Sequence, residues 1–217
     1  MTGTAYLPFY LETPDGPVTP SKIICVGLNY RSHARELGMD SPGEPLIFLK
    51  PPTALTASGA TIHLPGQSRR VDYEGELALV VGRRAKHLAE DEALGVLAGV
   101  TLANDVTARD LQKQDGQWTR AKGFDGFCPL GPSVLPDPDW DRLAFETFLN
   151  GERRQQGSVE DFIFPIPALV AFISRVMTLL PGDVILTGTP PGIGPVKAGD
   201  RVTVAAEGIG RLENRFA

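Results

Sequence analysis

The stretch DYEGELALVV, from Asp72 to Val81, carries the clearest indication of the fold. Successive side chains of a strand point to opposite faces, so Glu74 and Glu76 are predicted to share one face, with Asp72 behind them. The apolar residues that follow, from Leu77 to Val81, indicate that the strand continues into the core. The stretch therefore predicts a buried strand whose first end carries acidic side chains.

Short strands separated by turns are expected on both sides of this stretch. The chain has 24 glycines and 19 prolines, and they are spread along its length rather than pooled in a linker. Glycine and proline distributed in this way are typical of proteins with many short strands joined by turns. Further strands are predicted at 22–27, 46–49, 61–64 and 100–104, and in the last part of the chain from residue 182 onward.

Local signals also predict a hairpin and short helices. Asn150–Gly151 lies between two alternating segments, which predicts a two-residue hairpin loop. Apolar residues at helical spacing from Pro165 to Leu179 predict a helix that faces the core. A short helix is expected at 31–38, and residues 89–97 have a helical composition. We therefore expect a mixed α+β, β-rich fold in a single domain over residues 1–217, with residues 1–21 as an N-terminal extension packed on it.

Composition and charge exclude several classes of protein. The net charge is −5, so the chain lacks the basic surface with which proteins bind nucleic acid or an anionic membrane. Only Cys25 and Cys128 are present, which argues against a disulfide scaffold or a CxxC site. The sequence predicts no membrane span and no signal peptide. The expectation is a cytoplasmic protein without nucleic-acid or membrane partners.

Three acidic residues are candidate metal ligands. Asp105 ends the apolar run AGVTLAND, as Glu74 and Glu76 begin another. Three carboxylates at strand ends could bind Mg²⁺ or Mn²⁺ through oxygen and leave positions for water and substrate. A solvated strand face explains the same residues, and the acids alone leave both interpretations open.

Other residues could take part in catalysis. His33 and Glu36 stand three apart on the predicted helix, and a carboxylate beside an imidazole can build a base that activates water. Arg109 and Lys122 could hold a carboxylate or a developing oxyanion. Alternatively, His33 and Glu36 are an ordinary exposed pair on a helix, and Arg109 and Lys122 are solvated surface cations. The glycine-rich loop 187–194 is not a phosphate-binding P-loop, although its backbone amides could bind an anion.

Taken together, these segments resemble the fumarylacetoacetate hydrolase family, and most closely its short, single-domain acylpyruvase and oxaloacetate decarboxylase branch. The resemblance runs from about Lys22 to the C-terminus. It is carried by IICVGLNYRSHARELG, PLIFLKP, DYEGELALVVG, NDVTARDLQ, WTRAKGFDGFCPLGP, the hairpin around NGE, and GDVILTGTPPGIGPV.

The resemblance implies a β-roll fold, a homodimer and a site for Mg²⁺ or Mn²⁺. It places metal ligands at Glu74, Glu76 and Asp105, a water-activating dyad at His33 and Glu36, an oxyanion-side lysine at Lys122, a substrate-orienting glutamine at Gln112, and residues near the bound carboxylate at Arg109 and Thr189.

The implied activity is Mg²⁺-dependent hydrolysis of the C–C bond of acylpyruvate-type 2,4-dioxo acids, through a metal-bound pyruvate enolate. Oxaloacetate decarboxylase or tautomerase, and 2-hydroxyhepta-2,4-diene-1,7-dioate isomerase, are alternatives in the same family. A non-catalytic, metal-binding dimeric module is a more remote one. Such a module would be expected to have lost the dyad or the lysine, and His33, Glu36 and Lys122 are all present.

Overall fold

The computed structural model of the chain describes residues 11–13, 16–36 and 42–217. Most of this part is built from strands, and the α-helices are short. The strands are β1 Leu11–Thr13, β2 Gly16–Val18, β3 Ile23–Gly27, β4 Leu46–Lys50, β5 Leu55–Thr56, β6 Thr61–Ile62, β7 Val71–Tyr73, β8 Gly75–Val81, β9 Leu97–Asn104, β10 Thr107–Ala108, β11 Cys128–Leu135, β12 Ala144–Leu149, β13 Glu152–Ser158, β14 Val184–Leu186, β15 Gly194–Val196, β16 Arg201–Ala206 and β17 Gly210–Phe216. The α-helices are α1 Arg31–Glu36, α2 Arg109–Asp115, α3 Thr119–Lys122 and α4 Ile166–Val176.

Two larger sheets and two smaller ones organise these strands. The largest has seven strands in the order β4-β3-β14-β8-β9-β11-β5, and the next has five in the order β13-β12-β16-β17-β6. A three-stranded sheet, β10-β7-β15, and the β1-β2 pair complete the described part. Neighbours are antiparallel except for the β3–β14, β5–β11 and β6–β17 pairs. The predicted β-rich α+β class is confirmed.

Strand β8 lies inside the seven-stranded sheet, between β14 and β9. Both of its faces are covered, which explains why its sequence is a continuous apolar run rather than an alternation of apolar and polar residues. Leu77, Leu79 and Val81 face the largest core cluster, whereas Ala78 and Val80 face a second one. The predicted buried strand is therefore confirmed, with its acidic end at the edge of the core.

The predicted hairpin and the predicted core-facing helix are also present. Asn150 and Gly151 have φ values of 53° and 87°, and this double positive φ is the conformation in which Asn-Gly turns link twisted antiparallel strands. Helix α4 buries one side, including Leu169 and Ile173, against the largest core cluster. It covers a shorter range than Pro165 to Leu179, because the chain is already extended at Met177.

Residues 89–97 depart from their helical composition. They form two 3₁₀ turns, Glu90–Glu92 and Leu94–Val96, and then enter β9. Gly95 is a poor helix former, and pairing of Leu97 with Val81 ends the segment before an α-helix can develop. Helix α1 covers the first part of the predicted helix 31–38, and its expected end at Gly38 lies outside the described residues. Among the described helices, none has the length and apolar character needed to span a membrane.

Candidate active site

The antiparallel pairing of β8 with β9 brings the three candidate metal ligands together. Gly75 pairs with Asn104, so Glu74 and Glu76 lie beside Asp105, which follows the end of β9. The Asp105 N–H donates to the Glu74 carbonyl oxygen over 2.8 Å. One carboxylate oxygen of each acid lies within 4.8 Å of those of the other two, and all three residues are buried. The register of one strand pair thus builds a compact acidic triad.

Three cations surround this triad. The Lys122 ammonium lies 2.9 Å from Glu74 Oε2 and 2.5 Å from Asp105 Oδ2. The Lys50 ammonium donates to Asp105 Oδ1, and Arg109 Nη2 donates to Glu74 Oε1. Sequence reasoning placed Lys122 and Arg109 in the site but missed Lys50. The position of this lysine at the end of the apolar strand β4 could have indicated that it lies in the site.

The three cations donate to Glu74 and Asp105, and the pKa values of the acids differ accordingly. Burial by itself would raise the pKa of Glu74, but Lys122 and Arg109 outweigh it and lower that pKa to about 2. Burial, reinforced by the charges of Asp105 and Glu74, raises the pKa of Glu76 well above its ordinary value. Burial would lower the pKa of Lys122, yet Asp105 and Glu74 raise it, so this side chain stays charged.

The donor set fits a hard divalent cation. Mg²⁺ and Mn²⁺ prefer carboxylate oxygens, and octahedral bonds of ~2.1 Å to Mg²⁺ place neighbouring ligand atoms roughly 3 Å apart. One oxygen of each acid in the triad lies within 4.8 Å of the other two, so the three side chains can converge on one ion. Burial and the nearby carboxylates of Asp105 and Glu74 raise the pKa of Glu76, and a bound cation would favour the charged form of this side chain. Glu74, Glu76 and Asp105 are therefore the residues that would hold a metal ion.

A cavity of about 200 Å³ opens onto the triad and is lined by most of the other predicted site residues. Arg109 Nη1 donates to Gln112 Oε1 over 2.6 Å, and Arg109 Nε donates to Asp72 Oδ2 over 2.9 Å. The Thr189 hydroxyl donates to the Gly75 carbonyl oxygen over 2.8 Å. The structure thus brings Lys122, Arg109, Gln112 and Thr189 together with the triad.

Part of the cavity wall is apolar. Leu28, Phe48 and Trp118 line it, and the last two rings meet edge to face with centroids 5.0 Å apart. Sequence reasoning assigned none of these residues to the site, because large apolar side chains at strand and loop positions look the same whether they fill a core or line a cavity. The cavity therefore offers both charged and apolar contacts to a small molecule.

The predicted dyad is not described at the level of its side chains. His33 and Glu36 belong to helix α1, whose backbone is given, but their side chains lie outside what the structure describes. The start of the helix is anchored, since Ser32 N–H donates to Asp161 Oδ2 over 3.1 Å and Arg31 Nη1 donates to the Glu160 carbonyl oxygen over 3.2 Å. The role of the dyad stays a prediction.

Known proteins are similar to this chain in sequence and in fold. The model for the fumarylacetoacetate (FAA) hydrolase C-terminal domain matches residues 22–217. Oxaloacetate tautomerase FAHD1, mitochondrial, from Arabidopsis thaliana is 46% identical over 200 residues, which cover 89% of each chain. The crystal structure of 5-carboxymethyl-2-hydroxymuconate delta-isomerase from Mycobacterium smegmatis has a TM-score of 0.87 and 48% identity, covering 93% of this chain and 80% of that one.

A further solved structure contains a metal ion. Fumarylpyruvate hydrolase from Pseudomonas aeruginosa, crystallised in complex with Mn²⁺ and pyruvate, superimposes with a TM-score of 0.90 at 31% identity, covering 100% of this chain and 99% of that one. These relatives include a tautomerase, an isomerase and a hydrolase, which supports an enzymatic role. The family match over residues 22–217, together with these identities, shows that the chain belongs to the fumarylacetoacetate hydrolase family.

Proposed function

We propose that this chain is a divalent-metal-dependent hydrolase that cleaves the C–C bond of acylpyruvate-type 2,4-dioxo acids. The observation that carries the proposal is the buried triad of Glu74, Glu76 and Asp105 at the base of a cavity that also holds Lys122 and Arg109. The relative crystallised with Mn²⁺ and pyruvate supports both the kind of metal and the 2-oxo acid product.

The metal and the cationic residues have separate tasks in this proposal. A divalent cation held by Glu74, Glu76 and Asp105 would supply a Lewis acid for the 2-oxo acid end of the substrate. Lys122 is charged and buried beside the triad, so it can stabilise negative charge that develops on the distal carbonyl oxygen. Gln112, which Arg109 orients through its amide oxygen, has an N–H₂ group to direct at the substrate.

The hydrolytic step begins with water. In the proposal His33, with Glu36 as its predicted dyad partner, takes a proton from the water molecule, and the hydroxide oxygen bonds to the distal carbonyl carbon. Lys122 holds the resulting alkoxide. When the carbonyl re-forms, the C–C bond breaks, its electron pair leaves with the pyruvate portion, and a proton delivered to that carbon completes pyruvate beside a carboxylic acid.

Oxaloacetate chemistry is the second candidate function. The plant oxaloacetate tautomerase is 46% identical to this chain, and a 2-oxo acid would be bound in the same way for tautomerisation, decarboxylation or the isomerase reaction. None of these reactions requires an activated water. Loss of His33 should therefore stop hydrolysis and spare much of the oxaloacetate decarboxylation, which distinguishes these two activities.

The test is pyruvate release from acetylpyruvate by the purified chain with Mn²⁺ or Mg²⁺, with oxaloacetate decarboxylation and tautomerisation followed in parallel. We expect chelation of the metal and Glu76→Gln to abolish pyruvate release, and His33→Ala to slow hydrolysis by roughly 10²–10⁴-fold, the usual cost of losing a general base. Glu146→Gln, the same change at a partly exposed strand residue, is the matched control.

Two results would contradict the proposal. Hydrolysis that persists without metal and in Glu76→Gln would show that the triad is not the catalytic centre. Metal binding without turnover of any of these substrates would favour a non-catalytic metal-binding module.

A further inference from the structure

The backbone of Gly75, which joins Glu74 to Glu76, is held by two buried side chains from remote parts of the chain. Its N–H donates to Gln155 Oε1 over 2.9 Å, and its carbonyl oxygen accepts from the Thr189 hydroxyl over 2.8 Å. Gln155 belongs to β13 and is only 2% exposed. The segment that carries two candidate metal ligands is therefore fixed on both sides of one residue.

The hydrogen-bond network around Gln155 has a single consistent arrangement. Gln155 Nε2 donates to Thr189 Oγ1 over 2.8 Å and to the Pro190 carbonyl oxygen over 2.9 Å. Because a backbone N–H can only donate and a carbonyl oxygen can only accept, Gly75 and Pro190 determine which end of the amide is oxygen. Thr189 has one hydroxyl hydrogen, and it is directed at Gly75. All the donors of this network are therefore used.

Close packing at Gly75 leaves no room for a side chain. A Cβ at Gly75 would lie 2.0 Å from Thr147 Oγ1 and 3.3 Å from Gln155 Oε1, so only glycine fits. Thr147 is the residue opposite Gln155 in the β12–β13 pair. The β12–β13 hairpin is therefore in close contact with the backbone between Glu74 and Glu76.

The same glutamine also holds the loop that orients one of the carboxylates. Pro190, which accepts a hydrogen bond from Gln155, lies two residues from Gly188, whose N–H donates to Glu76 Oε2 over 2.7 Å. Gln155 therefore acts on Glu76 twice, through the backbone that carries it and through the loop that binds its carboxylate.

We propose that Gln155 is a positioning residue of the divalent-cation site. The inference rests on the proposed function in one respect, that the triad binds metal. Mg²⁺ and similar ions demand near-ideal octahedral geometry, so displacements of about 0.5 Å in the ligands matter. Partners that orient metal ligands typically contribute 10–100-fold to affinity. Sequence reasoning overlooked this residue, although a polar side chain at an inward position of the predicted hairpin was a signal.

Calorimetric titration of the chelator-treated chain with MnCl₂, without substrate, tests the proposal. Gln155→Met nearly preserves the side-chain volume and removes three hydrogen bonds, and it should weaken Mn²⁺ binding by roughly 10–100-fold. The matched control is Asn214→Leu, which removes a buried amide that donates to the Ala57 and Ala60 carbonyl oxygens. It should lower the unfolding temperature and leave Mn²⁺ affinity within about twofold of the original, since Asn214 does not touch the triad or its loop.

A second pair of variants keeps the test decisive if Gln155→Met does not fold. Thr189→Val removes the hydroxyl that binds the Gly75 carbonyl oxygen and should weaken Mn²⁺ binding, whereas Thr189→Ser should recover most of the affinity that valine loses. Unchanged affinity in Gln155→Met or Thr189→Val, or an equal loss in Asn214→Leu, overturns the inference alone. A wild-type chain that binds no Mn²⁺ overturns both the inference and the proposed function.

Discussion

At the scale of single residues, the Lys122 ammonium binds carboxylate oxygens that a metal ion would also use. Its ammonium bridges Glu74 and Asp105, so removing it should leave Mn²⁺ affinity unchanged or stronger. Its charge would act on an oxyanion that forms only during the reaction. Lys122→Met should therefore lower kcat by roughly 10²–10³-fold, the usual cost of losing one oxyanion donor. Steady-state kinetics beside calorimetric titration with Mn²⁺ measure both quantities.

Lys113→Met is the control for this prediction, because it makes the same change on the exposed side of α2. It should alter neither kcat nor Mn²⁺ affinity. Weaker Mn²⁺ binding by Lys122→Met, with kcat retained at saturating metal, would assign Lys122 to the metal site instead of the oxyanion.

At the scale of elements, α4 stabilises the fold without contributing to the cavity. Leu169 on its buried side is 0% exposed and packs in the largest core cluster. Leu169→Ala should cost about 2–5 kcal/mol of unfolding free energy, because it removes buried methyl groups and leaves a void. Denaturant unfolding measures this cost, and Val176→Ala, at a site that is 53% exposed in the same helix, should stay within about 0.5 kcal/mol. Equal costs for the two variants would contradict the burial of this face.

At the scale of the whole molecule, metal binding and stability should be linked. A ligand that binds only the folded state at 100 times its Kd stabilises it by about 2.7 kcal/mol. For a chain of this size, that energy corresponds to a rise in Tm of roughly 5–10 °C. Thermal unfolding with and without MnCl₂ measures the shift, and Glu76→Gln should remove most of it. A Glu76→Gln variant that Mn²⁺ stabilises as strongly as the original chain would place the metal elsewhere.

The sequence by itself determined the features that arise from local patterns. The apolar run of β8, the Asn150–Gly151 turn and the core-facing side of α4 each follow from a few neighbouring residues, and the structure confirms them. Family motifs, which are also local strings, indicated the residues of the site.

Only the tertiary structure decided which distant residues meet. Lys50 and Asp105 are 55 positions apart in the sequence, and Gln155 and Gly75 are 80 apart. No periodic pattern in the sequence predicts either contact. The pairing of β8 with β9 likewise set the spacing of the acids. The physical reason is that side-chain periodicity depends on the backbone of one element, whereas register and the approach of hairpin to strand depend on packing between elements. For the same reason residues 89–97, despite their helical composition, form 3₁₀ turns where the chain must enter β9.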